Sequence, residues 1–220
     1  MAKHWVRQHA SQHDEMQDVL ERSLAWVAGN RRKAALGALA LVAALLVAGV
    51  SVFQARAARE DAWNHLSLAE GLAYTGRADT ALQTIQELSQ SHPGSDAANF
   101  GTIFAGDILF KRGDYKGAAG RYEKVLTDAP KTAILRPLAL CDLALAQESA
   151  GQAKQAAQTA QSFLDAYGDH FLAPQAHACL ARCLEDLGQT EQAKTTLQKI
   201  ALQYPDTVWA AWAQARLKKS

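Results

Sequence analysis

The residues of this 220-residue chain that could do chemistry are three cysteines, Cys141, Cys179 and Cys183, seven histidines, and the carboxylates spread along its helices. Clustered thiolates and imidazoles would hold a metal ion, and a thiol or hydroxyl beside an imidazole would make a nucleophile. The spacing favours neither. The cysteines form no CxxC pair and have no companion histidines at ligand spacing. Cys179 and Cys183, four apart on an expected helix, read as small buried side chains, although in an oxidising compartment one pair could bridge. His9 and His13 share a helical face near His4 in a polar terminus, where solvated imidazoles are the expectation. His170 and His177 lie near a helix start with no nucleophile at a recognisable distance. There is no Gly-rich phosphate loop, no GxSxG and no HExxH. The expectation is a chain that is not an enzyme, with no cofactor and no metal.

What positions these residues is a stretch with no charge at all, Ala34 to Phe53. At about 1.5 Å per residue its length matches the hydrocarbon core of a bilayer, and it is apolar all round, so a transmembrane helix is expected over residues 34–54. Arg31, Arg32 and Lys33 precede it; Arg56 and Arg59 follow, with Glu60 and Asp61 close behind. The Lys/Arg excess places residues 1–33 in the cytoplasm and residues 55–220 across the membrane. Ala55-Arg56-Ala57 has the form of a signal-peptide cleavage site, but signal peptides carry a shorter apolar run nearer the start. An uncleaved anchor is expected.

The net charge of +1 gives no reason to expect nucleic acid. Five prolines and few β-branched clusters argue for helices over sheet. In the leader, Met16, Val19, Leu20, Leu24 and Val27 recur at three- and four-residue steps. They predict a short amphipathic helix, capped from Ser11 and Asp14 and ended near Gly29-Asn30.

The remainder repeats itself. Gly76, Gly113, Gly151 and Gly188 are separated by 37, 38 and 37 residues. Seven residues before them stand Ala69, Gly106, Ala144 and Ala181; five after stand Ala81, Ala118, Ala156 and Ala193. Eight before come Leu68, Ala105, Leu143 and Leu180, and twelve after come Leu88, Val125, Phe163 and Ile200. Seventeen after come Pro93, Pro130, Gly168 and Pro205. Small residues let helices approach, the larger ones fill the space between them, and proline or glycine ends the second helix of each hairpin.

The stretch Gly113-Asp114-Tyr115-Lys116-Gly117-Ala118-Ala119, with Tyr122 and Ala129-Pro130, resembles a tetratricopeptide repeat (TPR), and Gly188 to Ala193 with Tyr204-Pro205 repeats the form. The period exceeds the family's usual 34 residues, the excess falling before each following repeat, where Pro137 and Pro174 suit a helix start. The resemblance implies an all-α solenoid of about four helical hairpins. A final helix over residues 207–219, carrying Val208, Trp209, Trp212 and Leu217, would cap it; its tryptophans could instead meet a partner.

In this family the first helix of each hairpin lines a groove for peptides. The resemblance then implies a groove of Trp63, Leu66, Glu70 and Tyr74 from the first repeat and Phe100, Ile103, Asp107, Phe110 and Lys111 from the second. Cys141, Leu145, Glu148, Arg182 and Glu185 complete it. Such a surface suits segments of other proteins and lacks the Lys/Arg density of a phosphate clamp. The leader from Glu15-Met16-Gln17-Asp18-Val19-Leu20 through Asn30-Arg31-Arg32-Lys33 into the anchor also resembles ancillary subunits of the bacterial Sec translocon. These carry a periplasmic TPR-like domain and are linked to chaperones. Two functions follow as expectations: an inner-membrane module handling exported proteins in the periplasm, or a scaffold for outer-membrane or cell-envelope assembly. Self-association through Ala40, Ala44 and Ala48 would be sterically allowed.

Overall fold

The structure, a computed structural model, describes residues 18–129 and 134–219. His4, His9, His13, Ser11, Asp14, Met16 and Pro130 lie outside the described residues. All regular structure among the described residues is α-helical. Helix α1 covers residues 18–29 and ends at Asn30, whose N–H donates to the Trp26 carbonyl at 2.9 Å. Then come α2 (Arg31–Tyr74), α3 (Ala78–Ser91), α4 (Asp96–Lys111), α5 (Tyr115–Asp128) and α6 (Leu135–Ser149). Finally there are α7 (Ala153–Tyr167), α8 (Ala173–Asp186), α9 (Thr190–Gln203) and α10 (Val208–Leu217). The chain divides into two units, residues 1–57 and 58–220.

In the first unit, α2 contains a window of mean hydropathy 2.6, none of it buried. It is long and apolar enough to cross a membrane. The sequence reading set a boundary at residue 55, but the helix carries on to Tyr74. No proline interrupts that stretch, and its one glycine, Gly71, costs only about 1 kcal/mol in a helix interior.

The second unit is a row of helical hairpins: residues 58–74 with α3, then α4 with α5, α6 with α7, and α8 with α9. The four repeat glycines make the turns. Their φ angles are 81°, 80°, 75° and 72°, the left-handed region that a side chain disfavours. In each case the next residue's N–H reaches back to a carbonyl of the helix just ended, as in Arg77 to Leu72 at 2.9 Å and Gln152 to Gln147 at 2.8 Å. Second helices start on side-chain or backbone caps; Asp114, for example, accepts from the Gly117 N–H at 2.9 Å. Gly168 ends α7 without a left-handed turn, its φ being −58°.

The core follows the repeat. Ala81, Ala118, Ala156 and Ala193 are buried, as are Leu88, Val125, Phe163 and Ile200. Ala105, Leu143 and Leu180 each pack on the second helix of the preceding hairpin. Leu68, expected to do the same, is 56% exposed. It belongs to the first hairpin of the repeat domain, so within residues 58–220 no preceding second helix exists to cover it. At the other end, Trp209, Trp212 and Leu217 of α10 pack against Ala178, Ala181, Leu197 and Ile200, while Val208 is exposed.

Candidate functional site

The first helices of successive hairpins touch side by side: α4 with α6, α6 with α8, and α8 with α10. Two positions recur along that seam, three and six residues before each repeat glycine. At the distal end they hold opposite charges. Arg182 donates from Nε and Nη2 to Glu148 at 2.5 and 2.8 Å, and Arg216 donates to Glu185 at 2.6 to 3.2 Å. Both guanidinium groups lie over the Trp212 ring, 5.8 and 5.2 Å from its centroid. Glu148, Arg182 and Glu185 are therefore engaged with one another and with the last helix.

One repeat earlier the same two positions are Phe110 and Leu145, which cannot form an ion pair. A cavity of about 170 Å³ opens there, lined by Asp107, Phe110 and Lys111 of α4, Tyr122 of α5, and Asp142 and Leu145 of α6. Tyr122 donates its hydroxyl to Asp107 Oδ1 at 2.8 Å. Burial pushes the Asp107 carboxyl above its usual range, against the opposing effects of the Tyr122 hydroxyl and Lys111. Burial and then the neighbouring Asp107 push Asp142 up to about 7. Burial and the same carboxylate push the Tyr122 hydroxyl upward too, keeping it a donor. The site offers two carboxylates and only one exposed amine at its edge, so it favours an incoming cation.

The remaining expected groove residues fall into two groups. Trp63 is half-buried with its ring 5.6 Å from that of Phe100, Glu70 is half-buried, and Tyr74 stands 87% exposed at the end of α2. Leu66, Ile103 and Cys141, all ten residues before their glycines, are instead core residues with 4%, 8% and 1% exposure. The start of the next first helix covers that position in each case: Ala97 and Ala98 by Leu66, Leu135 and Ala139 by Ile103, Ala173 and Ala176 by Cys141. They back the surface and do not form it. Burial pushes the Cys141 thiol up to about 12, consistent with that enclosure.

Two pocket residues escaped the sequence reading as site residues. Tyr122 enters the sequence reading only as part of the stretch that resembles a repeat, and Asp142 stands one place past Cys141. The signal for Asp142 was a single carboxylate inside the apolar run Leu138 to Ala146. His177 is buried with no hydrogen-bond partner for Nδ1, and burial holds it down to about 4, neutral beside the Tyr204 ring at 6.1 Å.

Residues 149–217 match the family model described as tetratricopeptide repeat. No curated protein matches the sequence. Among solved structures, YrrB, titled a TPR protein with an unusual peptide-binding site, aligns with a TM-score of 0.53 at 19% identity, over 72% of this chain and 79% of that one. A tetratricopeptide repeat protein from Parabacteroides merdae aligns with a TM-score of 0.61 at 18% identity, over 72% of this chain and 60% of its own. MamA from Desulfovibrio magneticus RS-1 aligns with a TM-score of 0.58 at 18% identity, over 70% and 84%. The glycine-turned hairpins, the buried small residues and these likenesses agree: the domain that holds the acidic cavity folds as a tetratricopeptide-repeat-like solenoid, and its residues 149–217 match the tetratricopeptide repeat model.

Proposed function

We propose that this chain is a membrane-tethered protein-interaction module whose first-helix face takes a basic side chain of a partner segment between Phe110 and Leu145. The observation that carries the reading is the pair of carboxylates, Asp107 and Asp142, drawn together in a cavity that opens between two apolar walls. Two carboxylates held partly out of water are costly until a cation joins them, so a Lys or Arg finds an attraction that bulk solvent would screen. A cavity of about 170 Å³ is well below the size of ordinary small-molecule sites, and fits one side chain better than a metabolite. The likeness to a solved TPR protein with a peptide-binding site supports a peptide segment as the guest.

The apolar window of α2, flanked by Arg31, Arg32 and Lys33, supports a tether in the inner membrane with residues 1–33 cytoplasmic and the repeat domain periplasmic. In that setting the partner is an exported chain, or a subunit of the machinery that exports it. Site-specific photo-crosslinking from Phe110 in intact membranes, with Trp212 as the second position, tests this. Exported chains, chaperones or translocon subunits captured from Phe110 are expected. Envelope-assembly proteins captured there would turn the reading to a scaffold, and adducts from Trp212 alone would move the binding surface to the last helix.

A further inference from the structure

Asp61 and His65 stand one turn apart on the first helix of the repeat domain, and His92 sits at the carboxyl cap of α3, held by its N–H donating to the Leu88 carbonyl. The fold brings all three together. Asp61 Oδ2 lies 2.9 Å from His92 Nε2 and 3.5 Å from His65 Nδ1, and three ligand atoms, one from each residue, lie within 4.8 Å of one another. Zinc held at about 2.0–2.1 Å by nitrogen and oxygen sets its ligands roughly 3.3 Å apart, so two of the three separations already suit one ion. Side-chain exposures of 55%, 39% and 17% for Asp61, His65 and His92 leave room for water to complete the shell.

Packing alone does not call for these residue types. His65 lies eleven residues before its glycine and His92 sixteen after. The same two places in the third repeat hold Leu140 and Tyr167, which pack on a common apolar cluster. In the fourth they hold His177 and Tyr204, rings 6.1 Å apart, with Ala173 where the first repeat has Asp61. In the third repeat these two places meet through apolar and aromatic groups, and in the fourth through one imidazole against a tyrosine ring; in the first they are two imidazoles with the Asp61 carboxylate between them.

We infer that Asp61, His65 and His92 form a binding site for one divalent transition-metal ion of the zinc type. Imidazole and carboxylate are the donors such ions prefer, and both histidines ligate through a neutral ring nitrogen. His65 Nδ1 now bonds to the Asp61 carbonyl at 2.9 Å, a contact it exchanges for the ion. The ion ties the first helix of the first hairpin to the end of its second helix, in the repeat that opens the solenoid domain. The other cluster of ligand-type residues, Glu148, Cys179 and Cys183, is less suited to a cation because Arg182 already holds Glu148.

The test is a zinc titration of the metal-stripped, detergent-solubilised full chain by calorimetry, repeated for Asp61→Asn and His92→Ala. One high-affinity Zn²⁺ per chain is expected, raising the melting temperature, with affinity falling about tenfold or more in each variant. His65→Asn, on an exposed helix face, is expected to show the same loss and stands in should His92→Ala fail to fold. Cobalt substitution should give nitrogen and oxygen ligand-field bands without a thiolate charge-transfer band. No tight Zn²⁺ in the unaltered chain, equal affinity in the variants, or a thiolate band would overturn the assignment.

Discussion

Gly106 is where a single atom separates a formed pocket from a blocked one. A methyl group there would lie 2.5 Å from the Tyr122 ring, which is itself only 2% exposed and fixed by its bond to Asp107. Gly106→Ala is expected to destabilise the domain by about 1–3 kcal/mol and to weaken binding of basic peptides, read by chemical denaturation and peptide titration. Asp142 sets a pH dependence. Its carboxyl is raised from 3.8 to about 7, so between those values the folded domain holds a proton that the unfolded chain releases. Its contribution is full below pH 4 and is lost as pH rises through 7. His177, lowered to about 4, acts oppositely between pH 4 and 6.5, so Asp142→Asn is the control. The variant should gain melting temperature relative to the parent as pH goes from 5 to 8, and a parent that tracks it at every pH would contradict the assignment. A cationic peptide should bind the parent more tightly as pH rises through 7, and Asp142→Asn should abolish that trend. At this scale Asp107, Phe110, Lys111 and Leu145 were legible because a repeat carries groove positions with it. Asp142 was not, since which face of a buried first helix escapes its neighbours depends on how the next helix crosses it.

The hairpins were the most legible elements, because the demand for a positive φ at their turns is local and almost only glycine meets it. Gly151→Ala should cost about 1 kcal/mol through backbone strain alone, since no neighbour lies within 4 Å of the added atom. A loss at Gly106 no larger than that at Gly151 in a denaturation series would count against the Tyr122 contact, since Gly106 lies inside α4 with no positive φ to strain. The run of α2 past residue 55 was less legible. Charge and composition change there, but neither stops a helix, and only glycine or proline at a cap would have marked a break. Leu68 shows the converse: its repeat position promised burial, and only the missing neighbour decided otherwise.

For the molecule as a whole, the proposed tether is the property most open to direct trial. The chain should remain with membranes through alkaline carbonate washing and leave only with detergent. Leu45→Arg should weaken that retention, since an arginine at the centre of a spanning helix costs about 2.5–3.5 kcal/mol on insertion scales. Release of the parent chain by carbonate would remove the anchor from the account and leave the repeat domain untouched.

The Glu148–Arg182, Glu185–Arg216 and Trp212 arrangement has a bearing on how the solenoid comes apart. An array of hairpins opens from its ends, each repeat held only by its neighbours. Here the two ends are unequal: the last is fastened by two bidentate pairs stacked on an indole, and the first leaves Leu68 uncovered. Amide hydrogens of α3 should therefore exchange with solvent deuterium before those of α9 and α10. The domain should fray from its amino-terminal hairpin, whose first helix is the carboxyl-terminal part of α2, while the distal repeats stay closed.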